Sequence, residues 1–176
     1  MYGMREEANG LYLNFINGCH EAFAALAALI TPRFYRLFRH LGADSADAED
    51  FCQEFFIAIY RAGGTFSKER DFMPWAYAIA RNIYLKEAER AAKVKIIPLF
   101  EWIAAKSPHD GGGGIDIARL LAKLSREKRE VFELKHFGGL KFSEISEILK
   151  IPEGTAKSRM FAAVCELKEI ISRSGI

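Results

Sequence analysis

Apolar residues recur along this chain with the period of a helix. Ala48, Phe51, Cys52, Phe55 and Ile59 fall at i, i+3, i+4, i+7 and i+11. Ala76, Ile79, Ala80 and Ile83 repeat the pattern, as do Ala156, Met160, Ala163, Val164, Leu167 and Ile171. That spacing puts each set on one side of a 3.6-residue helix, whereas strand signals are weak. The pattern predicts helices over about 17–41, 46–62 and 71–92, then over about 116–124, 126–137, 143–150 and 153–172. Between the two groups stand Ser107-Pro108-His109-Asp110 and four consecutive glycines, Gly111 to Gly114. Four glycines carry a large entropic cost in a helix or strand, so they mark a flexible linker. The expected organisation is all-α: a three-helix domain over 1–92, a linker over 93–115 and a four-helix domain over 116–176. Ile96, Ile97, Leu99, Phe100, Trp102 and Ile103 make the linker unusually apolar, which suggests that part of it docks on a neighbouring surface.

Half of the 176 residues are apolar, enough to pack a core throughout. No apolar run approaches the roughly 20 residues that span a bilayer, and the N-terminus has no signal-peptide core. The expectation is a cytoplasmic protein without membrane insertion. Cys19, Cys52 and Cys165 are far apart and odd in number, so they read as free thiols in a reducing compartment. Cys19-His20 has no further ligands nearby to complete a zinc site, and no catalytic triad or phosphate loop is present. No metal, no cofactor and no enzymatic activity are therefore expected. The net charge of +2 is unevenly spread: −3 over residues 1–65, +3 over 66–95, −1 over 96–115 and +3 over 116–176. An acidic block followed by two basic ones suits a protein that meets nucleic acid at two places and a protein partner at a third.

Three stretches carry candidate chemistry. Residues 143–171 read as a helix-turn-helix: Ser143 caps a short helix, Lys150 to Gly154 form the turn, and a longer helix follows. Thr155, Lys157, Ser158, Arg159 and Phe161 face outward near its start, where a recognition helix meets base edges and phosphates. Upstream, Asp47, Asp50, Gln53 and Glu54 form an outward stripe on the helix whose apolar face begins at Ala48. With five acids and no base between Asp44 and Glu54, it suits a basic partner surface. In the next helix, Asn82, Lys86, Arg90 and Lys93 form a polar stripe, with Phe66, Tyr77 and Tyr84 nearby. Positive charge beside aromatic rings suits single-stranded DNA, because charge tracks the backbone and rings stack on bases. Trp75, close to the apolar stripe, reads as core.

The strings themselves are more specific than the spacing. Ser125-Arg126-Glu127-Lys128-Arg129-Glu130-Val131-Phe132-Glu133-Leu134, the run Leu140 to Leu149, and Ile151-Pro152-Glu153-Gly154-Thr155-Ala156-Lys157-Ser158-Arg159 resemble region 4 of extracytoplasmic-function (ECF) sigma factors of the sigma-70 family. Asp47-Ala48-Glu49-Asp50-Phe51-Cys52-Gln53-Glu54 is similar to their region 2.2, and Trp75-Ala76-Tyr77-Ala78-Ile79-Ala80-Arg81-Asn82 to regions 2.3 and 2.4. The resemblance implies a sigma factor that directs core RNA polymerase to promoters. Its partners would be the β′ clamp coiled coil, at Asp47, Asp50, Gln53 and Glu54, and the β flap, at the second domain. The −10 element would lie on Phe66, Tyr77, Arg81, Asn82, Lys86 and Arg90, and the −35 element on Thr155, Lys157, Ser158, Arg159 and Phe161. An anti-sigma factor would be a further partner. The chain departs from the family at Ala162 and Val164, where Arg is usual, at Lys86, where Asp is common, and at Ser125, where Pro is usual. Each lost basic residue removes a phosphate contact. Those departures keep a second reading open, a sigma-like decoy that binds an anti-sigma factor without supporting transcription.

Overall fold

The computed structural model describes residues 2–95 and 117–174, and every regular element among them is helical. The N-terminal unit contains α1 (Tyr2–Ile16), α2 (His20–Leu41), α3 (Ser45–Arg61) and α4 (Phe72–Lys95), with a 3₁₀ turn at Ala62–Thr65. The C-terminal unit contains α5 (Ile117–Leu121), α6 (Arg126–Phe132), a π turn (Glu133–Phe137), α7 (Phe142–Leu149) and α8 (Glu153–Ser174). The glycine linker and the apolar residues Ile96 to Ile103 expected to dock lie outside the described residues. No described helix is long and apolar enough to cross a membrane.

α2, α3 and α4 form where the periodicity places them and pack around an aromatic centre. Phe34 stacks on Phe55 at 4.2 Å and lies 5.0 Å from Tyr77, while Phe38 meets Phe51 edge-on at 5.4 Å. α2 ends at Gly42, whose φ of 117° is open to glycine but strained for other residues; its N–H bonds the Phe38 and Arg39 carbonyls. α3 starts at Asp44, whose carboxylate accepts the Asp47 N–H at 2.9 Å.

α1 is an additional helix that the sequence reading did not foresee. It buries Ala8, Tyr12 and Phe15 at i, i+4 and i+7, and Tyr12 donates its hydroxyl to the Ile59 carbonyl at 2.8 Å. Asn9 accepts the Phe72 N–H at 3.1 Å, so α1 also caps α4. Trp75 sits against Tyr12 and Phe66, in accord with a core role.

In the C-terminal unit, Arg129 is a buried hub. Its Nε donates to the Leu121 carbonyl at 2.8 Å and its Nη2 to Ala122 at 2.8 Å and Leu124 at 3.3 Å. It thus satisfies carbonyls at and just beyond the end of α5. The π turn closes with the Gly138 N–H on the Glu133 carbonyl at 2.8 Å. α7 begins one residue earlier than expected: Lys141 is the N-cap, and Glu144 accepts its N–H at 2.7 Å. Ser143 is therefore inside the helix and not its cap, because the Glu144 carboxylate already serves the N-cap amide.

The two units share one apolar core. Val131, Leu134, Leu140, Ile145 and Ala156 join the cluster built on α1 to α4, while Leu121, Leu124 and Ala163 form a smaller one inside the C-terminal unit.

Candidate nucleic-acid and protein interfaces

The first candidate surface is the outer face of α3. Its inward residues, Ala48, Phe51, Cys52, Phe55 and Ile59, are buried, which leaves Asp50, Gln53 and Glu54 exposed and Asp47 half-buried. Two apolar residues continue the same face: Ile57 is 51% exposed and Tyr60 is 49% exposed. They were missed in the sequence, although both fall outside the inward repeat and so had to point outward. An acidic rim beside exposed apolar side chains is the composition of a protein interface, with charge for recognition and area for burial. Beneath it, burial pushes the Cys52 thiol up to about 11, helped by Glu49.

The second is the start of α8. Helix α7, the turn at Lys150 and helix α8 form a helix-turn-helix; Lys150 adopts φ 54°, and the Ser146 hydroxyl donates to the Ile151 carbonyl at 2.7 Å. Lys157 and Ser158 are exposed, Thr155 and Arg159 half-buried, and Phe161 is 73% exposed. Lys157 pairs with Glu153 at 2.6 Å, and the Ser158 hydroxyl donates to the Thr155 carbonyl at 3.0 Å. These five residues therefore lie together as expected. The Phe161 ring on open solvent is suited to apolar contact with a thymine methyl. Ala162 and Val164 are half-buried, on the flank of the same helix.

The third surface is α4, and here the structure separates the candidates. Asn82, Lys86 and Arg90 are exposed. Phe66 is a core residue, edge-on to Tyr12 at 5.0 Å and 4.9 Å from Trp75, so its ring is not on the surface where the sequence reading put it. Tyr77 is only 1% exposed, and burial pushes its hydroxyl up to about 12 against the pull of Arg33 and Arg36. Arg81 bonds Glu130 of α6 through Nε at 3.1 Å and Nη2 at 2.9 Å. The C-terminal unit thus covers this part of α4. Further ties join the units: His40 to Glu133 at 3.0 Å, Arg33 to the Gly138 carbonyl at 3.3 Å, Arg129 to the Leu41 carbonyl at 3.3 Å, and Arg5 to Glu144. Burial holds the Glu133 carboxyl above the usual range, against the pull of His40, Arg129 and His136.

Comparison with known proteins agrees with this division. Residues 26–94 match the family described as Sigma-70 region 2, and residues 115–165 match Sigma-70, region 4. The chain is 30% identical over 160 residues to the ECF RNA polymerase sigma factor SigW of Bacillus subtilis (strain 168), covering 81% of this chain and 85% of that one. It shares its fold with CnrH, solved in complex with the cytosolic domain of CnrY (TM-score 0.72, 22% identity, 95% of this chain and 98% of that one). The sigma factor RpoE in complex with the anti-sigma factor NepR from Bartonella quintana is equally similar in fold (TM-score 0.72, 21% identity, 85% and 96%). Both family regions fall in order on the two helical units, and a relative of this identity aligns across them, so the chain belongs to the extracytoplasmic-function sigma factors of the sigma-70 family.

Proposed function

We propose that the chain is the promoter-specificity subunit of a bacterial RNA polymerase, acting in the cytoplasm by binding and without catalysis of its own. The observation that carries this reading is the pairing, in one chain, of an acidic and apolar α3 face with a helix-turn-helix that presents Lys157, Ser158 and Phe161. Domain one, residues 1–92, docks Asp47, Asp50, Gln53 and Glu54 on a basic surface of the β′ clamp, and Ile57 and Tyr60 supply buried area beside them. Asn82, Lys86 and Arg90, joined by Arg81 and Tyr77 when the C-terminal unit moves away, hold the −10 strand. Phe66 supports that surface from the core. Domain two, residues 116–176, places Thr155, Lys157, Ser158, Arg159 and Phe161 in the −35 major groove and meets the β flap; residues 93–115 link the two. RpoE of Bartonella quintana was solved with an anti-sigma factor, and a partner of that kind is expected here. The decoy reading is not favoured, since the relatives are sigma factors.

Run-off transcription with bacterial core polymerase on a genomic promoter library tests the proposal. Transcripts that appear only with this chain and share −35 and −10 elements are the expected result. Binding to core without such transcripts would overturn it.

A further inference from the structure

The part of α4 that the C-terminal unit covers continues onto α2. Arg33, Arg36 and His40 fall at i, i+3 and i+7 on one face of α2, and α2 carries no acid beyond Glu21. Together with Tyr77 they line a cavity of about 320 Å³, closed on the other side by Glu133, His136 and Phe137. A smaller adjoining cavity is lined by Leu37, Tyr77, Arg81, Glu130 and Glu133. Leu37 and Tyr77 belong to both cavities, so Arg33, Arg36, His40 and Arg81 form one basic face around a single tyrosine. Opposite them, the C-terminal unit supplies two carboxylates, Glu130 on Arg81 and Glu133 on His40, and the Gly138 carbonyl on Arg33. Arg36 is exposed and donates Nε to the Pro32 carbonyl of its own helix at 3.1 Å. Of these four cationic or protonatable groups, Arg81 and His40 meet an acid, while Arg33 and Arg36 meet backbone carbonyls. Such a surface, once uncovered, attracts a further polyanion.

We propose that Arg33 and Arg36 of α2, with His40, form a further DNA-binding surface, which takes the phosphodiester backbone next to the strand held by α4 once the C-terminal unit has moved away. This rests on the reading of α4 as the −10 surface. The acids Glu130 and Glu133 then occupy positions that phosphates take in the open state. Nucleic acid is favoured over an acidic protein because the stripe runs into Tyr77 and Arg81, a ring and a guanidinium of the kind that single strands use.

The test uses holoenzyme assembled from bacterial core polymerase and the full chain. Affinity for a fluorescein-labelled fork-junction fragment of a promoter found by run-off is measured by anisotropy across a salt series, for wild type, Arg36→Gln, Arg33→Gln/Arg36→Gln and Arg81→Gln. Circular dichroism checks folding, and gel filtration checks assembly with core. Each lost phosphate contact flattens the slope of log affinity against log salt by about 0.7 to 0.9. The expected result is a flattening of about that size for Arg36→Gln, about twice that for the double variant, and weaker binding at fixed salt. If Arg81→Gln flattens the slope and the α2 variants match wild type, the α2 surface is refuted and the α4 reading survives. If no variant changes the slope, both fall. If the double variant folds but no longer assembles with core, the stripe is a protein interface and the proposal is wrong.

Discussion

Arg129 ties α6 to the end of α5 and to α2, and its removal has a calculable effect. Four carbonyls accept from it: Leu121, Ala122, Leu124 and Leu41. Two have other donors, since Leu121 also takes the Leu124 N–H at 3.1 Å and Leu41 takes the Tyr84 hydroxyl at 2.6 Å. Arg129→Met keeps most of the volume and deprives the other two, Ala122 and Leu124. An unsatisfied buried acceptor costs about 1–3 kcal/mol; Leu124 is buried and bears it in full, whereas the half-buried Ala122 carbonyl can turn to water, so the two together cost about 1–4 kcal/mol. Burial penalises the guanidinium and holds its pKa below the ordinary value, so deleting the charge returns part of this. The expected net loss is about 1–3 kcal/mol, a sizeable fraction of the roughly 5–15 kcal/mol that holds a typical domain. With a urea slope of about 2 kcal/mol/M, the midpoint of the helical circular-dichroism transition falls by about 0.5–1.5 M. Arg129→Lys keeps the charge but loses the planar fork, and lands between wild type and Arg129→Met. Should Arg129→Met unfold within about 0.3 M of wild type, the carbonyl-hub account is wrong.

Gly138→Ala drives a methyl into the Leu134 carbonyl oxygen of the π turn, so it lowers stability by about 2 kcal/mol or more in the same urea assay; an unchanged midpoint means that the turn relaxes freely. Thiol labelling of the native chain at neutral pH modifies Cys19 and Cys165, both exposed, and spares Cys52, whose thiol is buried and pushed up to about 11; mass mapping that finds Cys52 labelled as fast as Cys19 contradicts this. Phe161→Ala leaves the stability within about 0.5 kcal/mol of wild type but weakens binding to the −35 element, read by gel shift; equal binding removes Phe161 from the interface. The folded chain keeps a proton on Glu133 at pH values where the unfolded chain has released it, so the stability this gives is full below the ordinary carboxylate pKa and is lost as pH rises through the higher folded value. Relative to Glu133→Gln, wild type therefore loses stability as pH rises through that window, and a constant difference between the two from about pH 4 to 8 counts against it.

The parts legible in the sequence were those where packing is one-sided. α3 and α8 each have an apolar stripe and a polar face, so Asp50, Gln53, Glu54, Lys157 and Ser158 emerged on the surface, as read. α1 was not legible: it buries few side chains, and Gly3 and Gly10 weaken its helical propensity. α6 was legible as a helix but not as a junction. Arg129, Glu130 and Val131 are all buried, as are Glu133 and Leu134 of the π turn, because α6 packs on α8 while Arg129 bonds the ends of α5 and α2, Glu130 bonds Arg81 of α4 and Glu133 bonds His40 of α2. Period analysis assigns charged positions to solvent, and here they are paired across the boundary between units. The covering of Tyr77 and Arg81 was not legible for the same reason. Their chemistry was readable, but the surface that covers them lies about 50 residues downstream.

The proposed function requires that boundary to open. Two of its polar ties are ion pairs, Arg5 with Glu144 and Arg81 with the buried Glu130, and the solvation they give up offsets much of their attraction. Glu133 with His40 is buried as well and carries a desolvation penalty of the same kind. The apolar contribution comes chiefly from Val131, Leu134, Leu140 and Ile145. Opening would uncover that apolar surface but return each charge either to water or to a new partner. A partner that binds only the open chain, present at about 100 times its dissociation constant, shifts the balance by about 2.7 kcal/mol, a factor of roughly one hundred. Under the proposed reading of α4, engagement of such a partner is enough to uncover α2 and α4.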